Sequence, residues 1–306
     1  MVTLQDIREA AVRIAPIAKR TPVLTSTLVN ERAGVQAYFK CENFQKGGSF
    51  KIRGAANFAF SIPKEDVPKG VVAFSSGNHA GAVALAGRHV GAKVTLVMPS
   101  DAPASKVAAC KDYGATVVLY DRFTEDREAI GRRIAAETGA TLIPPFDHER
   151  IISGAGTAAL ELIEEVPDLD ALVVCVGGGG LLSGSSIAAH GLKPGLRIFG
   201  VEPETGNDFY LSVKAGERVE IPPPPTIADG LRTPKPGALT FPIVREHAEA
   251  ILLVSDDEIR ETTAFLASRM KMIVEPSGGV SAAAVLFRKI PAGLGKVGVI
   301  ISGGNV

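Results

Sequence analysis

Tryptophan is absent from this 306-residue chain, tyrosine occurs four times and cysteine only three times. Cys41, Cys110 and Cys175 stand far apart, an odd number with no Cys-x-x-Cys spacing, which argues against a disulfide framework and against a zinc site. They read as small buried residues in a reducing compartment. An excess of charge is lacking too: 33 Lys and Arg balance 33 Asp and Glu, with no long block of one sign. Nucleic acid, anionic membrane and polyanion partners thereby lose their main electrostatic attraction. No apolar run approaches the roughly 20 residues of a membrane span. The opening MVTLQDIREAAVRIAPIAKRTP carries charges through a helical period where a signal peptide would be unbroken and apolar. The expectation is a soluble, cytoplasmic protein with no membrane or nucleic-acid partner. What is present is a globular mixture, 46% hydrophobic and 22% charged, long enough for one large or two modest domains.

Apolar runs alternate with helix-period segments almost from end to end. Val71 to Phe74, Lys93 to Met98, Thr116 to Leu119, Ala171 to Val176, Arg197 to Val201 and Val297 to Ser302 read as strands buried on both faces. Between them Gly81 to Val90, Ser105 to Tyr113, Thr124 to Thr138, Thr157 to Glu165 and Asp256 to Met270 read as helices. Strand and helix in such alternation predict a parallel α/β architecture. No repeat or low-complexity tract interrupts it. The one shift in composition, Ile221 to Gly237, contains Pro222 to Pro225, Pro234 and Pro236, whose missing N–H groups exclude a central strand or helix, so a long surface loop is predicted.

Three strand-to-helix junctions are rich in Gly, Ser and Asn, and the carboxyl ends of parallel strands are where open α/β sheets bind ligands. They should converge on one crevice. In Val176-Gly177-Gly178-Gly179-Gly180-Leu181-Leu182-Ser183-Gly184, four glycines allow close approach of an anion to the backbone. The following helix N-terminus offers unpaired N–H groups, which makes a phosphate cradle. It is not a Walker loop, since no Lys-Ser/Thr follows, and Ser183 breaks the G-x-G-x-x-G pattern. Ser75-Ser76-Gly77-Asn78-His79 follows a strand and suits either a carboxylate or a helix cap. In Gly47-Gly48-Ser49-Phe50-Lys51-Ile52-Arg53-Gly54-Ala55, Lys51 is placed one turn into a helix capped by Ser49. Its apolar neighbours would desolvate the amine and make it a nucleophile towards an aldehyde, while a surface lysine is the plainer reading.

Taken together these strings, with the closing Ser302-Gly303-Gly304-Asn305, resemble the fold-type II pyridoxal-phosphate enzymes of the serine/threonine dehydratase family. The resemblance runs in order over nearly the whole chain and is nearest the serine racemase and threo-3-hydroxyaspartate dehydratase branch. It implies two three-layer, parallel-sheet α/β domains of the tryptophan synthase β kind. A large one would comprise residues 1–70 and 149–306, with a small inserted one at 71–148. It implies Lys51 as the Schiff-base lysine and Gly177, Gly178, Gly179 and Gly180 as phosphate ligands. Asn78 would face the ring hydroxyl and Ser302 the pyridine nitrogen, with Phe50, Leu181 and Glu275 completing the cofactor site. A hydroxyl in place of an acid at the ring nitrogen makes a weaker electron sink, which favours elimination.

The activity implied is dehydration and deamination of 3-hydroxyaspartate, L-serine or L-threonine, with Lys51 taking the Cα proton. Ser76 would be the acid/base on the opposite face, as in the racemase branch, so amino-acid racemisation is the alternative. Ser75, Ser76, Asn78, His79 and Arg127 are the implied substrate residues. Glu202, Gly206 and Asp208 resemble a Mg²⁺ or Ca²⁺ (or Mn²⁺) site that supports the large domain. A homodimer is implied. A non-catalytic metabolite sensor would be signalled by loss of the lysine, and Lys51 is present. Val306 follows the Ser302–Asn305 string directly, so no carboxy-terminal regulatory domain is expected. Three departures, Gly47, Gly81 and Ala155, put shorter side chains where the family has longer ones. The expectation is that all three enlarge the crevice for a β-substituted substrate.

Overall fold

The computed structural model describes residues 1–75, 77–102 and 104–306, with Ser105 described by its backbone alone. Among the described residues, aliphatic and β-branched runs form ten strands. They are β1 Val23–Leu24, β2 Gln36–Cys41, β3 Val71–Phe74, β4 Val94–Pro99, β5 Thr116–Tyr120, β6 Thr141–Leu142, β7 Ala171–Cys175, β8 Arg197–Pro203, β9 Ala250–Val254 and β10 Lys296–Ile301. They make a six-stranded sheet, β1-β2-β10-β7-β8-β9, and a four-stranded sheet, β5-β4-β3-β6. Every pair is parallel except β1 with β2. The last strand inserts between β2 and β7, Val297 standing opposite Ala37 on one side and Ala171 on the other. Residues near both ends of the chain therefore build one sheet.

The helices are α1 Leu4–Ile14, α2 Thr27–Ala33, α3 Lys51–Ala59, α4 Asn78–Val90, α5 Ala104–Asp112, α6 Arg127–Thr138, α7 Glu149–Glu165, α8 Gly180–Leu192, α9 Asp208–Ala215, α10 Thr240–His247, α11 Asp256–Phe265 and α12 Pro276–Leu286. No helix among the described residues is long and apolar enough to cross a membrane. Strands β7 and β3 are buried along their whole length, as a parallel sheet covered on both faces requires. Strand β5 is not: it is the sheet's edge, Thr116 and Leu119 are exposed, and only Tyr120 is fully buried. The expectation of burial on both faces fails there because an edge strand has a neighbour on one side only.

Three helices begin away from their expected starts. Helix α4 starts at Asn78, α6 at Arg127, and α7 more than two turns before Thr157. The small residues Ser153 to Gly156 lie inside α7, where they permit close packing. A Cβ on Gly154 would sit 2.5 Å from the Arg53 carbonyl, and one on Gly156 2.6 Å from the Gly184 carbonyl. Helix α7 is thus threaded backbone to backbone between α3 and α8. Helix α11 ends in a single π turn, Leu266–Met270, rather than running on to Met270.

Beneath α3 lies an ion cluster in which Arg53, Lys40 and Glu42 are fully buried and Glu161 keeps a small exposed edge. The Arg53 Nε is 2.7 Å from Glu42, and its Nη1 is 2.7 Å from Glu161. Lys40, equally buried, is 2.7 Å from Glu161 and also donates to the Thr21 carbonyl. Two cations and two anions neutralise one another, which is what makes burial of four charges tolerable.

Candidate active site

The carboxyl ends of β3, β7 and β10 face a cavity of about 160 Å³ lined by Lys51, Ser75, Asn78, Gly177 to Leu181, Glu275 and Ser302, among others. The three Gly- and Ser-rich junctions meet there. The peptide after β2 reaches it by an unexpected route: Ser49 is extended and bridges to Gly303, and makes no side-chain cap. Phe50 occupies the position before the helix, and Lys51 is the first residue of α3, not one turn inside it. That puts the lysine at the helix mouth. Its Nζ donates to the Pro145 carbonyl at 2.9 Å, and desolvation by the walls brings its pKa down to about 8.

The glycine run is held in place by its neighbours. Thr240 donates from Oγ1 to the Gly178 carbonyl at 2.7 Å, and Gly179 has φ +93°, a left-handed conformation that favours glycine. A Cβ on Gly178 would run into the Phe146 ring, and one on Gly177 would lie 3.1 Å from Leu231. The first amide of α8 to bond back is Ser183, to the Gly179 carbonyl at 2.8 Å. Among the described residues the amides of Gly179, Gly180, Leu181 and Leu182 have no protein acceptor. An unbonded helix start behind a side-chain-free loop fits a phosphate dianion.

At the opposite side, Asn78 opens α4 and is held twice. Its Nδ2 donates to Glu275 at 2.6 Å and its Oδ1 accepts from Asn305 at 2.9 Å. Burial raises Glu275 to about 7, against the lowering effect of the Asn78 hydrogen bond. The Ser302 Oγ lies 3.4 Å from the Ser277 carbonyl and beside the Cys175 thiol, whose pKa burial pushes up. His79 is buried with Nε2 3.0 Å from the Ile143 carbonyl. Burial, and then the Lys51 charge, lower its pKa to about 3, so the ring is neutral and that nitrogen is committed. Ser75 lines the cavity, as does Arg127, which opens α6 in an exposed position with its guanidinium over the Phe74 ring. Ser76 lies outside the described residues.

Two expectations need correction. The Ile221 to Gly237 segment is not merely a surface loop: Thr226 and Ala228 are fully buried, and Asp229 to Thr233 line the cavity. Of the three shortened residues only Ala155 is on the cavity wall. Gly47 has φ +74°, its carbonyl accepts from Asn305, and a Cβ there would lie 2.9 Å from Leu85. Gly81 is elsewhere on α4, with open space where its Cβ would be. Also unforeseen on the wall were Phe146, Lys106, Ser277 and Cys175. The Asp-Gly turn signal at Asp229-Gly230, between the apolar Ala228 and Leu231, could have pointed to the loop; no local pattern pointed to Lys106.

Away from the cavity, Glu202 and Asp208 are both fully buried. Glu202 accepts from the amides of Phe209 at 3.0 Å and Tyr210 at 2.9 Å, whereas neither oxygen of Asp208 has a hydrogen-bond partner. Burial raises the pKa of both, Asp208 to about 7, and the charge of Asp208 raises Glu202 further. Orphaned carboxylate oxygens beside a second buried carboxylate, with Gly206 buried nearby, form a donor set that fits a hard divalent cation.

A lysine amine of depressed pKa, facing a phosphate-sized glycine cradle across a cavity at the carboxyl ends of strands from two mainly parallel sheets, defines an α/β protein equipped for pyridoxal phosphate. Residues 14–303 match the family described as "Pyridoxal-phosphate dependent enzyme", and the chain belongs to that family. It is 53% identical over 304 residues to the L-threo-3-hydroxyaspartate ammonia-lyase of Saccharomyces cerevisiae, covering 99% of this chain and 93% of that one. To the serine racemase of Schizosaccharomyces pombe it is 49% identical, with 99% and 94% covered. The crystal structure of serine racemase from Dictyostelium discoideum superposes with a TM-score of 0.95 at 46% identity, covering 100% of this chain and 99% of that one. The fold is fold-type II and the protein is an enzyme.

Proposed function

We propose that this enzyme removes water from a β-hydroxy amino acid, with 3-hydroxyaspartate first among the candidates, and releases ammonia and a 2-oxo acid. The observation that carries the reading is Lys51: an amine brought to a pKa of about 8, at the mouth of a helix, opposite an unoccluded phosphate cradle. Identity of 53% to a hydroxyaspartate ammonia-lyase supports the substrate class. When bound, pyridoxal 5'-phosphate would supply an electron sink for the bond pair left at Cα. The amides of the Gly177 to Gly180 loop and of Leu181 and Leu182 would hold its phosphate, Asn78 and Ser302 would face its ring, and Phe50, Leu181 and Glu275 would complete its enclosure. Lys51 takes the proton from Cα, since a desolvated amine near neutrality is a competent base. The α4 N-terminus with Ser75, and Arg127, orient the substrate carboxylate. His79, already bonded to Ile143, holds the wall behind them.

Closure of the smaller unit, residues 71–148, over the cavity excludes water and aligns the Cα proton with Lys51. Support for this comes from Lys106 of α5, which reaches Asp229 of the other unit at 3.1 Å across the site. Glu202, Asp208 and the Gly206 carbonyl would hold a Mg²⁺, Ca²⁺ or Mn²⁺ ion, which would stabilise the large unit. The working enzyme in this reading is a cytoplasmic homodimer, which light scattering tests.

Serine racemisation is the second reading, favoured by the serine racemase relatives, and would need Ser76 as the second acid/base. The deciding experiment measures 2-oxo acid and ammonia from L-serine, L-threonine and the four stereoisomers of 3-hydroxyaspartate, with and without Mg²⁺. Preference for one hydroxyaspartate isomer is expected. Slow release from serine with D-serine accumulating, abolished by Ser76→Ala, would replace the lyase reading with the racemase.

A further inference from the structure

We propose that Arg232 distinguishes dicarboxylic from monocarboxylic β-hydroxy amino acids in this cavity by holding the carboxylate on Cβ. The inference rests on the β-elimination reading above. A dicarboxylic substrate presents two carboxylates, and each is bound best where a cation donates a charge-assisted hydrogen bond to it. Besides Lys51 the wall carries Lys106, Arg127 and Arg232 against the acids Asp229 and Glu275. Lys106 is already paired with Asp229, and Glu275 is bonded to Asn78. Arg127 and Arg232 have no carboxylate partner among the described residues. They approach from different elements, Arg127 from α6 beside the four-stranded sheet and Arg232 from the loop that crosses the cavity.

Arg232 is exposed at the edge of the cavity, and its guanidinium is nonetheless pre-positioned. Its Nε donates to the Thr226 carbonyl at 2.8 Å. Thr226 is fully buried and donates from Oγ1 to Asp256 at 2.6 Å, while the Ile227 amide reaches the other oxygen of that carboxylate at 3.0 Å. The Gly230 amide donates to Ser277 at 2.9 Å, which pins the segment on its other side. With Nε engaged, the two Nη groups are what remains to face an anion, a planar pair matched to a carboxylate. Arg127 serves the carboxylate common to both substrate types, and Arg232 serves the one that serine lacks.

The test compares Arg232→Gln, Arg232→Lys and Arg127→Gln with the wild-type holoenzyme. It measures kcat/KM on 3-hydroxyaspartate and serine, and displacement by succinate and by propionate, followed in the absorbance of the bound cofactor. Arg232→Gln is expected to lower kcat/KM for 3-hydroxyaspartate about 10- to 100-fold through KM, the worth of one charged hydrogen-bonded contact. Serine turnover should stay within about threefold, succinate should weaken while propionate does not, and Arg232→Lys should recover part of the loss. Arg127→Gln should weaken both substrates alike. Equal loss on both substrates with a lowered melting temperature would mean that Arg232 only staples the loop, and an unchanged ratio would equally overturn the proposal. Should the wild type act on serine but not on 3-hydroxyaspartate, the substrate reading fails, and the succinate-to-propionate ratio still decides for or against Arg232.

Discussion

Replacing Glu161 by Gln keeps the shape of a side chain that touches both buried cations of the α3 cluster and removes its charge. Glu161 lies 2.7 Å from Lys40 and 2.7 Å from Arg53 Nη1, with Nη2 of the same arginine at 2.9 Å. The cluster would change from neutral to one net positive charge. Lys40, fully buried, would keep only the Thr21 carbonyl and a neutral amide. Each contact of this kind is worth about 4 kcal/mol at 4 Å and an effective dielectric constant near 20, before the desolvation of Glu161 itself is subtracted. Breaking buried pairs by removing one partner costs about 3–5 kcal/mol, and that is the loss expected here. Urea unfolding followed by circular dichroism, compared at equal slope, measures it.

Glu164→Gln on the same helix is the control. Its pair with Arg20 at 3.2 Å is about half exposed and should contribute no more than about 1 kcal/mol. A loss below about 1 kcal/mol for Glu161→Gln, equal to the control, would refute the argument that burial of its cation partners sets the cost. Function should follow stability, because Arg53 stands two residues after Lys51 in α3. The sign with pH is fixed as well. Burial pushes the Glu161 carboxyl up, but the Arg53 hydrogen bonds and the Arg53 and Lys40 charges outweigh it, and the carboxyl stays below the ordinary glutamate range. Its stabilisation is present above the unfolded glutamate pKa and is lost as pH falls through the lower folded value.

Further outcomes can be checked separately. In cofactor-free protein at pH 7 an amine with a pKa of about 8 is about 10% neutral, against well below 0.1% for an ordinary lysine. Borohydride trapping of pyridoxal phosphate should therefore label Lys51 almost alone, with a pH midpoint near that value; labelling spread over surface lysines would contradict the depressed pKa. Gly178→Ala pushes a methyl group into Phe146 and should cost about 1–3 kcal/mol of stability with a parallel loss of cofactor affinity, read by absorbance titration. Chelation should lower the melting temperature and Mg²⁺ or Ca²⁺ should restore it. Asp208→Asn, which removes one of two buried carboxylates, should raise the melting temperature of the chelated protein and abolish the response to the cation; an unaltered response would exclude Asp208 from the site.

The strands, their alternation with helices and the glycine run before α8 were legible along the chain because period and local backbone demands are properties of neighbouring residues. Lys51 and the Gly177 to Gly180 loop could be singled out for the same reason: each sits in a string whose chemistry is local. What tertiary structure alone decided is what distant segments do to one another. Asn78 is held by Glu275 and Asn305. The middle of a proline-rich loop forms a cavity wall, and Lys106 reaches across to Asp229. Gly47 reads like a crevice residue in one dimension but packs against Leu85, and Arg53, an ordinary helical arginine by sequence, is sealed between two glutamates. Exposure, desolvation and the pairing of charges depend on what the rest of the chain places within a few ångströms, and periodicity carries no information about that.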